Sequence, residues 1–260
     1  MTIALRLAGQ DGSWSDWITL DSDPHTPPRQ DDGWVYAPPV LARGQQVQLL
    51  VQCEPGPDGA APQLRALRVT AVETIETDTH WLATPELIDG WIVPRAGWGA
   101  DESLRFDENG EEIWPPRYAP IQKVIVHHTV TKNDPPDPAA TIRAIYAYHA
   151  VTLGWGDIGY NFSVDWQGRA YEGRYGGPNV VGAHTAGYNT GTLGIAVLGD
   201  FTSTAPPQPV LDALARLIRT RAGHLDPAGI GPFRDLVDVP NIGGHRDYNI
   251  TECPGDQLYA

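Results

Sequence analysis

The sequence predicts an α/β domain over residues 94–260, with a central β-sheet flanked by helices, preceded by a small all-β, sandwich-like domain over residues 1–75. Three observations carry this reading. Period-two alternation dominates the first third of the chain. Short apolar runs and helical 3.6-residue periodicity interleave in the remainder. Gly (28) and Pro (24) together make about a fifth of the 260 residues, which favours short elements joined by turns over long helices.

In the first part, Ile3, Leu5 and Leu7 alternate with other residues and predict a strand. Val47, Leu49, Val51 and Cys53 would share one strand face, with Gln48 and Gln52 on the other. A third strand is expected over Leu64–Val72, and Gly/Pro/Asp clusters break the pattern as in an antiparallel sandwich. Trp14 and Trp17 flank a turn; they either plug the sandwich or offer an aromatic platform to sugar rings. Cys53, at a strand end, reads as a small buried apolar residue. Residues 76–93 read as a linker, acidic at first and then mixing Pro with aromatics.

In the second part, Lys123–His128 contains the short apolar run of a buried strand. Ile142, Ile145, Tyr146 and His149 have helical spacing within Ala139–Val151. Tyr160–Asp165 alternates, and Gln167-Gly168 turns the chain into Ala170-Tyr171-Glu172. Leu193–Gly199 is a second buried strand, and Val210–Leu225 an amphipathic helix with Leu211, Leu214, Leu217 and Ile218 on its apolar face.

Composition excludes several function classes. Eighteen basic residues stand against 32 acidic ones, a net charge of −14, so neither nucleic acid nor anionic lipid is an expected ligand. No apolar run approaches the ~18 residues of a membrane span, and Met1–Arg6 carries no secretory signal pattern. Two cysteines 200 residues apart, Cys53 and Cys253, do not make a disulfide framework.

The candidate chemistry centres on histidine and cysteine. His127 and His128 end a buried strand, where α/β folds place ligand sites, and alternation sends only one of the pair to a given face. His245 follows Ile242-Gly243-Gly244, and Cys253 lies eight residues further on. Two imidazoles and a thiolate suit Zn²⁺, and three protein ligands leave a fourth position for water. The same residues also allow a cysteine nucleophile, with Cys253 attacking and His245 as base, or plain packing. His149 on its amphipathic helix reads as structural, as do His25, His80 and His224, which have no motif around them.

Several segments, taken together and in order, are those of a known family: Pro94–Ala100, Val124–Thr129 with its His-His pair, Gly154–Phe162, Tyr171-Glu172-Gly173-Arg174, Val181-Gly182-Ala183-His184, Leu193-Gly194-Ile195 and Gly244-His245-Arg246-Asp247 through Cys253-Pro254-Gly255. Residues 94–260 thereby resemble the type 2 zinc-dependent N-acetylmuramoyl-L-alanine amidases, which include the peptidoglycan recognition proteins and the bacteriophage amidase lysozymes. The resemblance implies a mixed central sheet and a Zn²⁺ cofactor held by His127, His245 and Cys253, with His128 on the opposite strand face. It implies catalytic roles for Tyr160 and Thr251, and a muramyl-peptide substrate. Family members that only bind peptidoglycan typically lose the Cys ligand, which is kept here.

The implied reaction is hydrolysis of the amide between N-acetylmuramic acid and L-alanine. Tyr160 would donate to the oxyanion, since an ordinary phenol with a pKa of ~10 is protonated at neutral pH; Glu172 stays open as a general base. His184 and Asn189, flanking the loop Gly182–Thr190, and Trp155 are the expected substrate contacts. The pair that selects the third stem residue would be Gly177-Pro178 or Asn179-Val180. The expected partner is peptidoglycan, met by a monomer without nucleic acid or membrane span, in the extracellular space or cell wall; without a visible signal the chain reads as a trimmed secreted enzyme or a phage-type lysin, and the abrupt end after Cys253 as that of a fragment of a longer protein. The rivals are a non-catalytic recognition module, a cysteine hydrolase, and a chain that acts mainly through its first domain as a wall tether or partner-binding sandwich.

Overall fold

The computed structural model describes residues 2–8, 12–20, 40, 46–52, 67, 69 and 87–260. The chain divides into two compact units, Met1–Glu73 and Thr74–Ala260.

In the first unit, β1 (Thr2–Leu7), β2 (Ile18–Leu20) and β3 (Val47–Gln52) form an antiparallel sheet of order β2-β1-β3. Leu49 and Val51 are its half-buried side of β3, as alternation requires, while Val47 is exposed. Trp14 is half-buried and Trp17 exposed, and the Arg6 guanidinium lies over both rings at 5.0 and 4.7 Å. Trp17 is therefore no core plug. Cys53 and most of the third expected strand lie outside the described residues; Leu67 and Val69, which are described, are exposed.

Among its described residues, the second unit carries eight further strands and four α-helices. In chain order these are β4 (Ile92–Val93), α1 (Arg95–Trp98), β5 (Lys123–His128), α2 (Pro138–Ala147), β6 (Phe162–Val164), β7 (Ala170–Glu172), β8 (Thr192–Val197), α3 (Gln208–Ala222), β9 (Ile230–Phe233), β10 (Leu236–Pro240), β11 (Ile242–Gly244) and α4 (Asp256–Tyr259). Six strands make a mixed sheet of order β11-β5-β8-β6-β7-β4. Parallel pairing runs from β11 through β5 and β8 to β6, β7 is antiparallel to β6, and β4 is parallel to β7.

The expected linker 76–93 ends too late. Ile92 and Val93 pair with Ala170 and Tyr171, and Ile92 is fully buried. Two residues are too few to show a strand period, so the sequence hid this edge strand.

Each face of the sheet has its own core. Val124, Val126, Leu193, Ile195 and Val197 pack against Val210, Leu214 and Leu217 of α3. On the other face Ala196 and Tyr160 meet Trp98 and Ile142, Ile145 and Tyr146 of α2. Asp137 caps α2 by accepting from Ala140 N at 3.0 Å, with Pro138 at the first helical position. The helix passes into a π-turn, Tyr148–Thr152, before reaching Val151. In α3 the buried stripe is Val210, Ala213, Leu214 and Leu217; the expected Leu211 is exposed.

Candidate metal centre

Alternation along β5 places the first candidate ligand. Val126 faces α3, so His127 faces α2 and His128 returns to the α3 side, where its Nδ1 accepts from Phe201 N at 3.3 Å. His127 is fully buried. Strand β11 pairs in parallel with β5, Gly244 opposite Val126, so the next residue, His245, comes level with His127. Their ring centroids are 4.7 Å apart.

Cys253 reaches the same spot by a short return of the chain. Arg246 N donates to Cys253 O at 2.9 Å, and Thr251 Oγ1 accepts from Cys253 N at 3.2 Å. His128 N donates to Cys253 Sγ at 3.4 Å, a contact that favours a thiolate.

Ligand atoms of His127, His245 and Cys253 all lie within 4.8 Å of one another, and all three residues are buried. His127 Nδ1 is 3.7 Å from Cys253 Sγ; tetrahedral zinc bonds of ~2.0 and ~2.3 Å would put such atoms roughly 3.5 Å apart. The donor set fits Zn²⁺. Each imidazole is also held from outside, as metal-bound histidines are. His127 Nε2 lies 3.0 Å from His184 Nδ1, and His245 Nε2 lies 3.1 Å from Asn249 Oδ1. Asn249 was not singled out in the sequence; its spacing of four from His245 was the available signal.

Tyr160 is 2% exposed, its ring 5.3 Å from that of His127 and 5.5 Å from that of His149. An ion-pair network anchors the loop that delivers it. Arg95 Nη1 donates to Asp157 Oδ1 at 3.0 Å, and Arg95 Nε to Glu102 Oε1 at 2.7 Å. Asp157 in turn accepts from Ile158 N and Tyr175 N. Burial opposes the Arg95 charge, but hydrogen bonding to Glu102 and the field of Asp157 outweigh it, so its pKa rises. His149 belongs to this wall too: its Nδ1 accepts from Gly159 N at 3.0 Å, and its ring lies 4.9 Å from that of Trp155.

The other expected site residues fall differently. Trp155 is half-buried on the wall. His184 is 4% exposed, below the rim. Asn189 Oδ1 accepts from His184 N and Thr185 N, both at 2.8 Å, and so folds the loop. Glu172 is the clear correction. It accepts from Arg95 N at 3.1 Å on β7, three strands from β5, about 14 Å at the usual strand spacing, which is too far for a general base at this cluster. Of the two candidate selectivity pairs, Pro178 and Asn179 are exposed but Val180 is 3% exposed. A cavity of about 390 Å³ lined by Ile121, Phe162, Leu193 and Arg221 opens on the α3 face, away from the cluster.

Three buried N/S ligand atoms gathered beside the strand ends of a mixed sheet define the class: an α/β fold with a candidate mononuclear metal site. Residues 117–256 match the family described as N-acetylmuramoyl-L-alanine amidase. Peptidoglycan-recognition protein LB of Drosophila melanogaster is 35% identical over 173 residues, 65% of this chain and 66% of that protein. Its solved structure aligns with a TM-score of 0.51 at 32% identity, covering 65% of this chain and 89% of that one. The N-acetylmuramoyl-L-alanine amidase of Homo sapiens is 33% identical over 227 residues, 85% of this chain but 34% of the human protein. Human PGRP-Iβ C, solved in complex with glycosamyl muramyl pentapeptide, aligns with a TM-score of 0.50 at 33% identity, over 65% of this chain and 92% of that one. The chain belongs to the N-acetylmuramoyl-L-alanine amidase family. It spans about a third of the human amidase.

Proposed function

We propose that the chain hydrolyses the amide joining the lactyl group of N-acetylmuramic acid to L-alanine in peptidoglycan. The observation that carries this is the buried His127–His245–Cys253 cluster beside Tyr160, complete in a member of the amidase family. A recognition-only role would not need the third ligand. A cysteine nucleophile is disfavoured because Cys253 is 0% exposed, closed to a bulky glycopeptide carbonyl.

Bound zinc would supply Lewis acidity toward the scissile carbonyl and lower the pKa of water to ~7. The chain's own groups do the positioning. His127, His245 and Cys253 fill three positions and leave the fourth to the reaction. Tyr160, held between His127 and His149, donates its phenol proton to the oxyanion as charge develops. Thr251 Oγ1 accepts from Cys253 N, so its own proton is available to water or to the oxyanion. Trp155, half-buried beside His149, would offer a ring face to the substrate. Asn189 shapes its own loop.

The protein acts on the cell wall, outside the cytoplasm, as its substrate requires. Among the described residues no helix is long and apolar enough to cross a membrane. The test is hydrolysis of a soluble muramoyl-L-alanyl peptide in heavy-oxygen water. One heavy oxygen should enter the muramyl carboxylate, with a free L-alanine amino terminus on the peptide. Binding without cleavage would move the chain to the recognition class.

A further inference from the structure

We propose that His184 and Thr192 are positioning residues that lock the ring of His127 in the tautomer a metal requires; the inference rests on the zinc-amidase reading above. Protons along one buried chain of hydrogen bonds can be counted. Thr192 has a single hydroxyl proton, and Oγ1 donates to the carbonyl oxygens of Tyr188 at 2.8 Å and Asn189 at 3.0 Å. Carbonyls only accept, so the proton is committed to that side. Toward His184 Nε2, 3.3 Å away, Thr192 Oγ1 has lone pairs to offer. His184 therefore carries its proton on Nε2, and Nδ1 of the neutral ring is an acceptor. His127 Nε2 lies 3.0 Å from that acceptor and must be the donor. The His127 proton is then on Nε2, which gives Nδ1 the lone pair, and Nδ1 is the atom 3.7 Å from Cys253 Sγ.

The surroundings hold this arrangement. His127, His184 and Thr192 are all at most 4% exposed, so bulk water does not compete. Thr185 Oγ1, 2.9 Å from His184 Nδ1, is a hydroxyl that shares the same acceptor. The His184 ring is wedged against two glycines: a Cβ at Gly182 or Gly194 would collide with it. The backbone amides of His184 and Thr185 are clamped by Asn189 Oδ1. Ring, rotamer and tautomer are thus set before any metal arrives, as outer partners do for metal-bound histidines.

Two measurements on the full chain test this. In the zinc-loaded wild type, two-bond proton–nitrogen correlation spectra should show His184 and His127 both protonated at Nε2. A His184 ring protonated at Nδ1 would overturn the inference. The second measurement is zinc affinity, by competition with a chromogenic chelator. His184→Leu should lose about 10–100-fold. His184→Asn, whose Oδ1 falls near the lost Nδ1, should recover most of that. Thr192→Val should weaken binding about 10-fold and release the His184 tautomer, whereas Thr192→Ser should match the wild type. Equal losses in His184→Asn and His184→Leu, or wild-type affinity in Thr192→Val, would contradict the proposal. If His184→Leu fails to fold, the near-isosteric Thr192 pair decides. A wild type that binds no zinc would sink the amidase reading as well; a wild type that binds zinc beside an unchanged Thr192→Val would sink this inference alone.

Discussion

At Cys253 Sγ, full burial meets a donated amide hydrogen from His128 and a neighbouring imidazole nitrogen, the environment of a ligand rather than of an attacking nucleophile. Cys253→Ser should weaken zinc binding by more than the ~10–100-fold expected for an outer partner, read by chelator competition. Retained zinc in that variant would remove Cys253 from the metal site. Tyr160→Phe separates catalysis from metal binding. It should lower kcat about 10²–10³-fold with zinc content and KM little changed; a loss of zinc instead would make Tyr160 structural. At this scale the sequence was most legible where spacing and strand alternation bear directly on a side chain, as for His127 against His128. It was least legible where a residue acts through a neighbour. His184 and Asn189 sit in a Gly/Thr-rich loop that looks like a substrate rim. Only the fold shows that Asn189 ties that loop together and that His184 lies beneath it against His127.

Among the elements, register brings the ligands together. β5 and β11 pair in parallel with Gly244 opposite Val126, which sets His245 level with His127. Periodicity found β5, β8, α2 and α3 because each has a long enough apolar pattern. It missed β11, where Ile242-Gly243-Gly244 offers one apolar side chain, and the β9–β10 hairpin, whose Val237 and Ile230 are exposed. On α3 it placed Leu214, Leu217 and Ile218 correctly but took Leu211 for the apolar face in place of Val210. The loop to Tyr160 depends on the buried pair Arg95–Asp157, with side chains 5% and 6% exposed. Arg95→Leu leaves Asp157 charged and buried, and should cost about 3–5 kcal/mol, measured by denaturant unfolding of the second unit. A change below ~1 kcal/mol would mean that the pair is solvated and does not anchor the loop.

The whole chain divides after Glu73, yet the sheet that carries the metal cluster includes residues before Pro94. A chain starting at Thr74 should fold and bind zinc alone. One starting at Pro94 lacks β4 with its fully buried Ile92, and should be less stable by about 2–5 kcal/mol, the usual cost of emptying such a site; thermal melting of the two compares them. Alkaline stability follows from three tyrosines. Burial, with Asp165 beside Tyr171 and Asp247 beside Tyr248, raises both phenols; burial and Asp157 raise Tyr146. Their protonated forms favour the fold, so this stability is intact below the unfolded value of ~10 and is lost as pH climbs toward the folded values. Phenolate absorbance should therefore show at least three of the ten tyrosines ionising only with unfolding; normal titration of Tyr146, Tyr171 and Tyr248 in the folded protein would contradict their burial. The most direct test of the central claim is digestion of purified peptidoglycan by the full chain, with mass spectrometry of the products, before and after chelation and after zinc is returned. The structure predicts free stem peptides beginning at L-alanine, lost on chelation and restored by zinc. Intact peptidoglycan with zinc present, or cleavage indifferent to chelation, would contradict it.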